Sequence, residues 1–337
     1  MTLSNFRNSS QKRQDLQGIR GIAILAVLGF HFLPRWFPNG YLGVDQFFVL
    51  SGFLMSMLLT TSDHAKMTTS QYIHGFYQRR LKRILPLYFL VITVSILALF
   101  YFFPDTAFET NLKSGERAMV FMSNRLKTEG EDYFSMLSIA IDIFTHTWSL
   151  SLEVQFYLLI PILYLLISKC TPSKITSFSI LALVSYCYST VILTENEAFN
   201  SLLARCWQFF MGIIVNLIEK IYPYPKIETP IKYSCLTLIL WILAYPIKLN
   251  SIVSRPIFTI STSLLILLSS GDRILSLPAL TYIGDISYSL YLIHWPIYAY
   301  WKLVWSGGEN ENLELFIGFF AGFVLAVISY EKFEKIM

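Results

Sequence analysis

The sequence predicts an all-α polytopic membrane protein with about ten transmembrane helices and both termini cytoplasmic. Three observations carry this reading. The chain is 54% hydrophobic and 14% charged, against roughly 25% charged in soluble domains. Its mean hydropathy is +0.53, and the apolar residues fall into repeated runs long enough to cross a bilayer. Lys and Arg gather in alternate connecting segments, on the side that carries the N-terminus, and that side is cytoplasmic by the positive-inside rule. The net charge of +4 is therefore a topology signal, and no nucleic-acid partner is expected. The expected location is a plasma membrane or endomembrane, with the lipid bilayer as the protein's surroundings.

The first run, 20–36, carries Arg20 at its start and His31 eleven residues on. That is nearly three helical turns, so both side chains leave one face, separated by roughly 16 Å along the axis. Ionisable groups at such depth are costly and face a protein interior or a wet cavity. The plainer alternative is a histidine satisfied by a neighbouring helix. Lys12 and Arg13 precede the run as in a signal peptide, but no small-residue cleavage site follows. The run is read as a span behind a short cytoplasmic tail, 1–15, where the Asn8-Ser-Ser sequon would go unused.

In the second run, 41–60, Ser51 and Gly52 suit close helix approach. Asp45, near its outer end, could sit at the interface, orient a histidine or bind a polar acceptor. Arg79, Arg80, Lys82 and Arg83 close the cytoplasmic loop 61–83, just before the third run at 84–103. They serve either as a positive-inside anchor on lipid headgroups or as a docking surface for phosphates, which guanidinium forks grip directionally. Arg20 opens on the same side. The exoplasmic segment 104–147 shows no obvious compact domain.

The fourth run, 148–168, is preceded by His146 and contains Glu153. The two are seven residues apart and share a face if the helix starts that early. A buried carboxylate needs a partner or it protonates; a His–Glu pair can supply acid–base chemistry, and a polar lock between helices is the simpler use. Runs at 176–194, 202–219, 232–249 and 255–270 carry no motif. Cys170, Cys187, Cys206 and Cys235 lie in or beside apolar runs without paired spacing, as small hydrophobes rather than a disulfide framework or metal site. The ninth run, 279–303, holds His294 before Trp295 and Pro296. The proline bends the helix, and His294 taken alone reads as a structural hydrogen-bonding residue. The tenth run is 314–330. There is no Walker-type phosphate loop, nucleotide-fold glycine fingerprint, zincin motif or nucleophile elbow. His64 and His74 have no ligand spacing and read as solvated. No internal repeat is visible, and one domain, 1–337, fills the chain.

Five blocks in order resemble the acyltransferase-3 family of integral membrane O-acyltransferases, including the version found in nematode O-acyltransferase homologues. They are Leu16-Gln-Gly-Ile-Arg20 through His31, Gly43-Val-Asp45 through Ser51-Gly52-Phe, Arg79-Arg80-Leu-Lys-Arg83-Ile-Leu-Pro86, Thr147-Trp148-Ser149-Leu-Ser-Leu-Glu153-Val-Gln155-Phe-Tyr157, and Ile286-Ser287-Tyr288 through His294-Trp295-Pro296. The resemblance implies ten helices around an acyl-transfer path. It implies an acyl-CoA donor, commonly acetyl-CoA, offered from the cytoplasm; no metal is expected. The acceptor would be a hydroxyl of a carbohydrate, lipid or other molecule on the far side. Arg20 and His31 match the family's arginine–histidine pair; Arg79, Arg80 and Arg83 match its basic motif.

The expected roles follow. Arg20, Arg79, Arg80 and Arg83 hold CoA phosphates, and His31 acts as general base or, as a second choice, transient acyl carrier. Glu153, His146 or Asp45 orients the imidazole. Gln17 stands where many bacterial members have Asp, so no acidic role carries over there. Many relatives continue into a hydrolase-like domain, whereas this chain ends just past its tenth run. Transfer is therefore expected to finish in the membrane unit, unless a separate hydrolase-like partner completes it or the chain is a shortened form. The rival readings are a proton-coupled transporter or lipid carrier using the same His and Glu residues, and an inert receptor-like scaffold.

Overall fold

The computed structural model describes residues 13–61, 68–125, 142–222, 229–307 and 310–335. Most of the expected N-terminal tail, the Asn8 sequon and His64 lie outside the described residues. Helices make up the fold, and no strand occurs among the described residues. In chain order they are α1 (Gln14–Phe32), α2 (Leu42–Thr61), α3 (Thr69–Phe102), α4 (Phe108–Met119), α5 (Trp148–Cys170), α6 (Lys174–Cys187), α7 (Glu195–Asn200), α8 (Leu202–Ile221), α9 (Thr229–Ala244), α10 (Ser251–Leu268), α11 (Pro278–Asp285), α12 (Ser287–Val304) and α13 (Glu311–Ser329). Eight helical stretches are long and apolar enough to cross a membrane. Of the ten runs expected, α9 is shorter, at 16 residues, and α12 carries His294 and Lys302 in its 18 residues. The protein is an integral, multi-pass, all-α membrane protein.

Several boundaries move for identifiable reasons. α1 begins at Gln14, inside the expected tail, and ends at Phe32 because Pro34 disfavours helix at the preceding residue. α3 starts about four turns before its apolar run, where Thr68 and Gln71 form a reciprocal capping box. The basic cluster expected in a loop therefore rides on a helix. The ninth run is two helices, broken at Ile286.

Close approach fixes the packing around α2. α2 packs extensively on α8, and α1 on α11. A Cβ on Gly52 would stand 1.9 Å from the Phe209 carbonyl oxygen, and one on Gly212 would stand 2.0 Å from that of Val49. Only glycine lets the two backbones meet there, which is the small-residue logic of membrane helix pairs. Outward faces are apolar: Leu97, Phe100, Ile162, Leu183 and Phe316 are all exposed, as side chains against lipid would be. Cys206 and Cys235 are buried, while Cys170 and Cys187 are exposed.

Each end of the bundle carries interhelical polar contacts. At one end Arg13 pairs with Asp15 and Glu219, Ser269 donates to Asp15, and Lys232 pairs with Asp272. At the other, Asn39 donates to the carbonyls of Tyr245 and Ile247. α1 runs from the first layer to the second, so Arg20 and His31 lie at different depths.

Candidate active site

Near the first layer, α1, α2, α3, α5 and α12 enclose a cavity whose lining includes Arg20, Ser51, Arg80, Arg83, Glu153 and Tyr288. Arg20 is 8% exposed, and its Nη2 donates to Ser287 Oγ at 2.9 Å. Arg80 is buried beside the Tyr157 ring, its guanidinium carbon 5.7 Å from the centroid. Its Nε finds no acceptor among the described residues. Glu153 accepts from Ser51 Oγ and from Tyr157 OH. Glu334 accepts from Ser289 at 2.8 Å and acts electrostatically on Arg83 and Arg20. Three guanidiniums thus face two carboxylates, leaving a cavity suited to added negative charge.

Helix phase sorts the basic cluster. Tyr72, Phe76, Arg80, Ile84 and Tyr88 form the buried stripe of α3. Arg79 is turned about 100° from that stripe and is exposed. The structure brings Arg20, Arg80 and Arg83 together and leaves Arg79 outside.

Deeper in the bundle, His31 lines a small chamber with Tyr41, Asp45, Trp148, Phe199 and Tyr291. His31 Nδ1 lies 2.9 Å from His294 Nε2, with the rings stacked at 5.0 Å. His294 Nδ1 lies 2.9 Å from the Leu290 carbonyl oxygen. This chain of contacts assigns the protons. A carbonyl only accepts, so His294 Nδ1 carries hydrogen and the neutral ring's Nε2 accepts. His31 Nδ1 then carries hydrogen and donates. The remaining nitrogen, His31 Nε2, is left with a lone pair and no partner among the described residues. A buried imidazole held in that tautomer offers Nε2 as an acceptor.

Tyr291 and Val44 line both cavities and form the wall between them. Tyr291 OH donates to the His146 carbonyl at 2.9 Å and lies 2.6 Å from Ser149 Oγ. The two chambers are thus neighbours behind one aromatic wall, rather than one open tunnel.

The three residues expected to assist His31 are placed apart. His146 sits in a 3₁₀ turn, Thr145–Thr147, ahead of α5. It does not share a helix face with Glu153, and its ring lies 6.0 Å from that of His294. Glu153 belongs to the arginine cavity. Asp45, 2% exposed, pairs with Arg205 at 3.2 Å and Arg255 at 3.8 Å. The side chain that bonds His31 is His294, which sequence reasoning treated as structural. Its position inside an apolar run was the available signal, as it was for Arg205 and Arg255. Among the described residues no group of three or more His, Cys, Asp or Glu could hold a metal ion.

An integral membrane fold with buried arginines in one chamber and an unpartnered imidazole nitrogen in the next defines a class able to hold an anion and exchange a proton. Comparison with known proteins makes the class specific. The family model described as an acyltransferase domain matches residues 13–331, and the chain belongs to this family, as an acyltransferase enzyme. It is 31% identical over 300 residues to a protein of Komagataeibacter xylinus named as the membrane-bound transacylase BcsY, covering 87% of this chain and 75% of that one. It is 28% identical over 343 residues to the O-acetyltransferase OatA of Staphylococcus aureus strain NCTC 8325, covering 95% of this chain and 56% of OatA. An O-acetyltransferase-named protein of S. aureus strain COL, SACOL0978, is also 28% identical, over 348 residues, with the same two shares. The chain thus spans little more than half the length of these staphylococcal relatives. No solved structure matches it. Together the likenesses support an O-acyltransferase acting with an acyl donor and a hydroxylated acceptor. They select the enzyme over the transporter or scaffold readings and lend no support to a separate hydrolase-like partner.

Proposed function

We propose that this O-acyltransferase moves an acyl group, acetyl in the first instance, from acyl-CoA at the cytoplasmic face to a hydroxyl of a carbohydrate or lipid on the opposite side. The observation that carries the reading is the His31 imidazole, locked through His294 with its lone pair at Nε2. It lies one aromatic wall away from the arginine cavity. The excess of Lys and Arg on the side of the N-terminus supports cytoplasmic termini, and residues 1–337 act as one transferase unit.

In this account Arg20, Arg80 and Arg83 bind the phosphates of CoA, with Glu153 and Ser51 fixing the floor of their cavity. Arg79 contributes only to the surface field. The flexible arm of CoA carries the thioester past Tyr291 to the His31 chamber. The acceptor O–H gives its proton to His31 Nε2 as its oxygen bonds to the thioester carbonyl carbon. Collapse of the tetrahedral adduct breaks the carbon–sulfur bond, and the departing thiolate takes the proton back from Nε2. An ester and free CoA thiol result. Throughout, His294 accepts from His31 Nδ1–H and holds the ring.

The test is acyl transfer by the purified protein in liposomes supplied with radiolabelled acetyl-CoA. His31→Ala should lower turnover about 10²–10⁴-fold, the usual worth of a general base, with expression and membrane insertion retained. Turnover at the wild-type rate would remove the base assignment.

A further inference from the structure

Beyond the His31 chamber, at the layer opposite the Arg20 cavity, a third cavity is lined by Tyr186, Thr190, Arg205, Trp207, Ser251 and Arg255 among others. We propose that it is the acceptor site, and that Arg205 and Arg255 recognise an acidic sugar through an oxyanion, either a carboxylate or a phosphate ester.

Unmet hydrogen bonding carries the argument. Arg205 is 2% exposed, and Asp45 and the Phe199 carbonyl engage its Nη1 and Nε. Its Nη2 has no partner among the described residues. Arg255, on the neighbouring helix, has neither Nε nor Nη2 hydrogen-bonded; its 3.8 Å approach to Asp45 is an ion pair too long for a hydrogen bond. Buried donors of this kind are rare in folded proteins and call for a ligand. Two guanidiniums share one buried carboxylate, so a further anion completes the charge balance. Glu195, at the exposed rim, accepts from Ser251 Oγ and is screened by water.

The surroundings favour a sugar over a lipid chain. Hydroxyl groups of Thr190 and Ser251 and the rings of Tyr186 and Trp207 combine polar contacts with flat apolar faces, the usual make-up of a small-molecule site. Phe199 lies beneath both guanidiniums, 4.9 Å from Arg205 and 5.3 Å from Arg255, and its ring also walls the His31 chamber. An oxyanion held by the two arginines is thereby one residue layer from His31, so a hydroxyl of the same sugar can reach the base. The assignment deepens the acyl-transfer reading, but binding tests it independently of transfer.

The full chain in nanodiscs of uncharged lipid is titrated with glucuronate, glucose 6-phosphate or glucose at constant ionic strength, and thermal unfolding is followed. An acid present well above its Kd should raise Tm by several degrees, while glucose does not; whichever acid acts identifies the oxyanion. Arg255→Gln, which leaves Asp45 paired with Arg205, should weaken that acid about tenfold or more, the worth of a charged hydrogen bond. Arg205→Lys, keeping charge but losing the fork, should weaken it as well. His31→Ala should keep the acid-induced shift, which separates this site from the transfer chemistry. The proposal is overturned if neither acid shifts Tm, if glucose matches them, or if Arg255→Gln binds the acid as wild type does.

Discussion

At the residue scale the proposed base rests on a proton assignment. The Leu290 carbonyl sets the tautomer of His294, and His294 sets that of His31. His294→Leu should therefore lower kcat by about one to two orders of magnitude within the range of acid–base catalysis, leaving KM for acyl-CoA unchanged. His294→Gln, whose amide oxygen still accepts from His31 Nδ1, should recover part of the loss; equal kcat for the two variants would show that the contact does not position the ring. Arg20 and His31 were legible in the sequence because each is an ionisable side chain in an apolar run. Their partners were not. Hydrogen bonding between residues 263 positions apart depends on how α1 and α12 meet, and spacing along one helix cannot express that. For Asp45 the sequence left an interfacial position, a histidine partner and a polar acceptor open; it is buried against two arginines from α8 and α10.

At the element scale, helix phase decides which arginines line the cavity. The capping box at Thr68 starts α3 early, and packing of its Tyr72, Phe76, Ile84 and Tyr88 stripe sets the rotation that buries Arg80 and exposes Arg79. Arg80→Gln should raise KM for acyl-CoA about tenfold or more, whereas Arg79→Gln should stay within about twofold, following the difference between a buried charged hydrogen bond and an exposed charge. Steady-state kinetics in liposomes reads both, and equal effects would contradict the placement. The sequence put this cluster in a loop because charge masks helical continuation when the apolar run alone defines a span. Gly52, by contrast, was legible as a packing residue. Gly52→Ala should cost about 1–3 kcal/mol or more through overpacking against Phe209, seen as a lower Tm in detergent; an unchanged Tm would mean α2 and α8 can part without loss.

At the scale of the whole molecule, three cavities lie in series: arginine-lined, histidine-lined, then arginine-lined again. Hydropathy and the five ordered blocks made the membrane fold and its two inner stations readable. The third station was not, because Arg205 and Arg255 stand in runs that carry no motif and converge only through folding. Tyr291 and Val44 close the wall between the arginine-lined and His31 chambers, so the transfer proposed above requires that wall to yield to the CoA arm. A structure of the protein with a non-hydrolysable acetyl-CoA analogue bound tests this most directly. The expected result is phosphates on Arg20, Arg80 and Arg83, the Tyr291 ring displaced, and the acyl carbonyl beside His31 Nε2. An analogue whose acyl end stays on the arginine side of an unmoved Tyr291, or which binds away from these arginines, would contradict it.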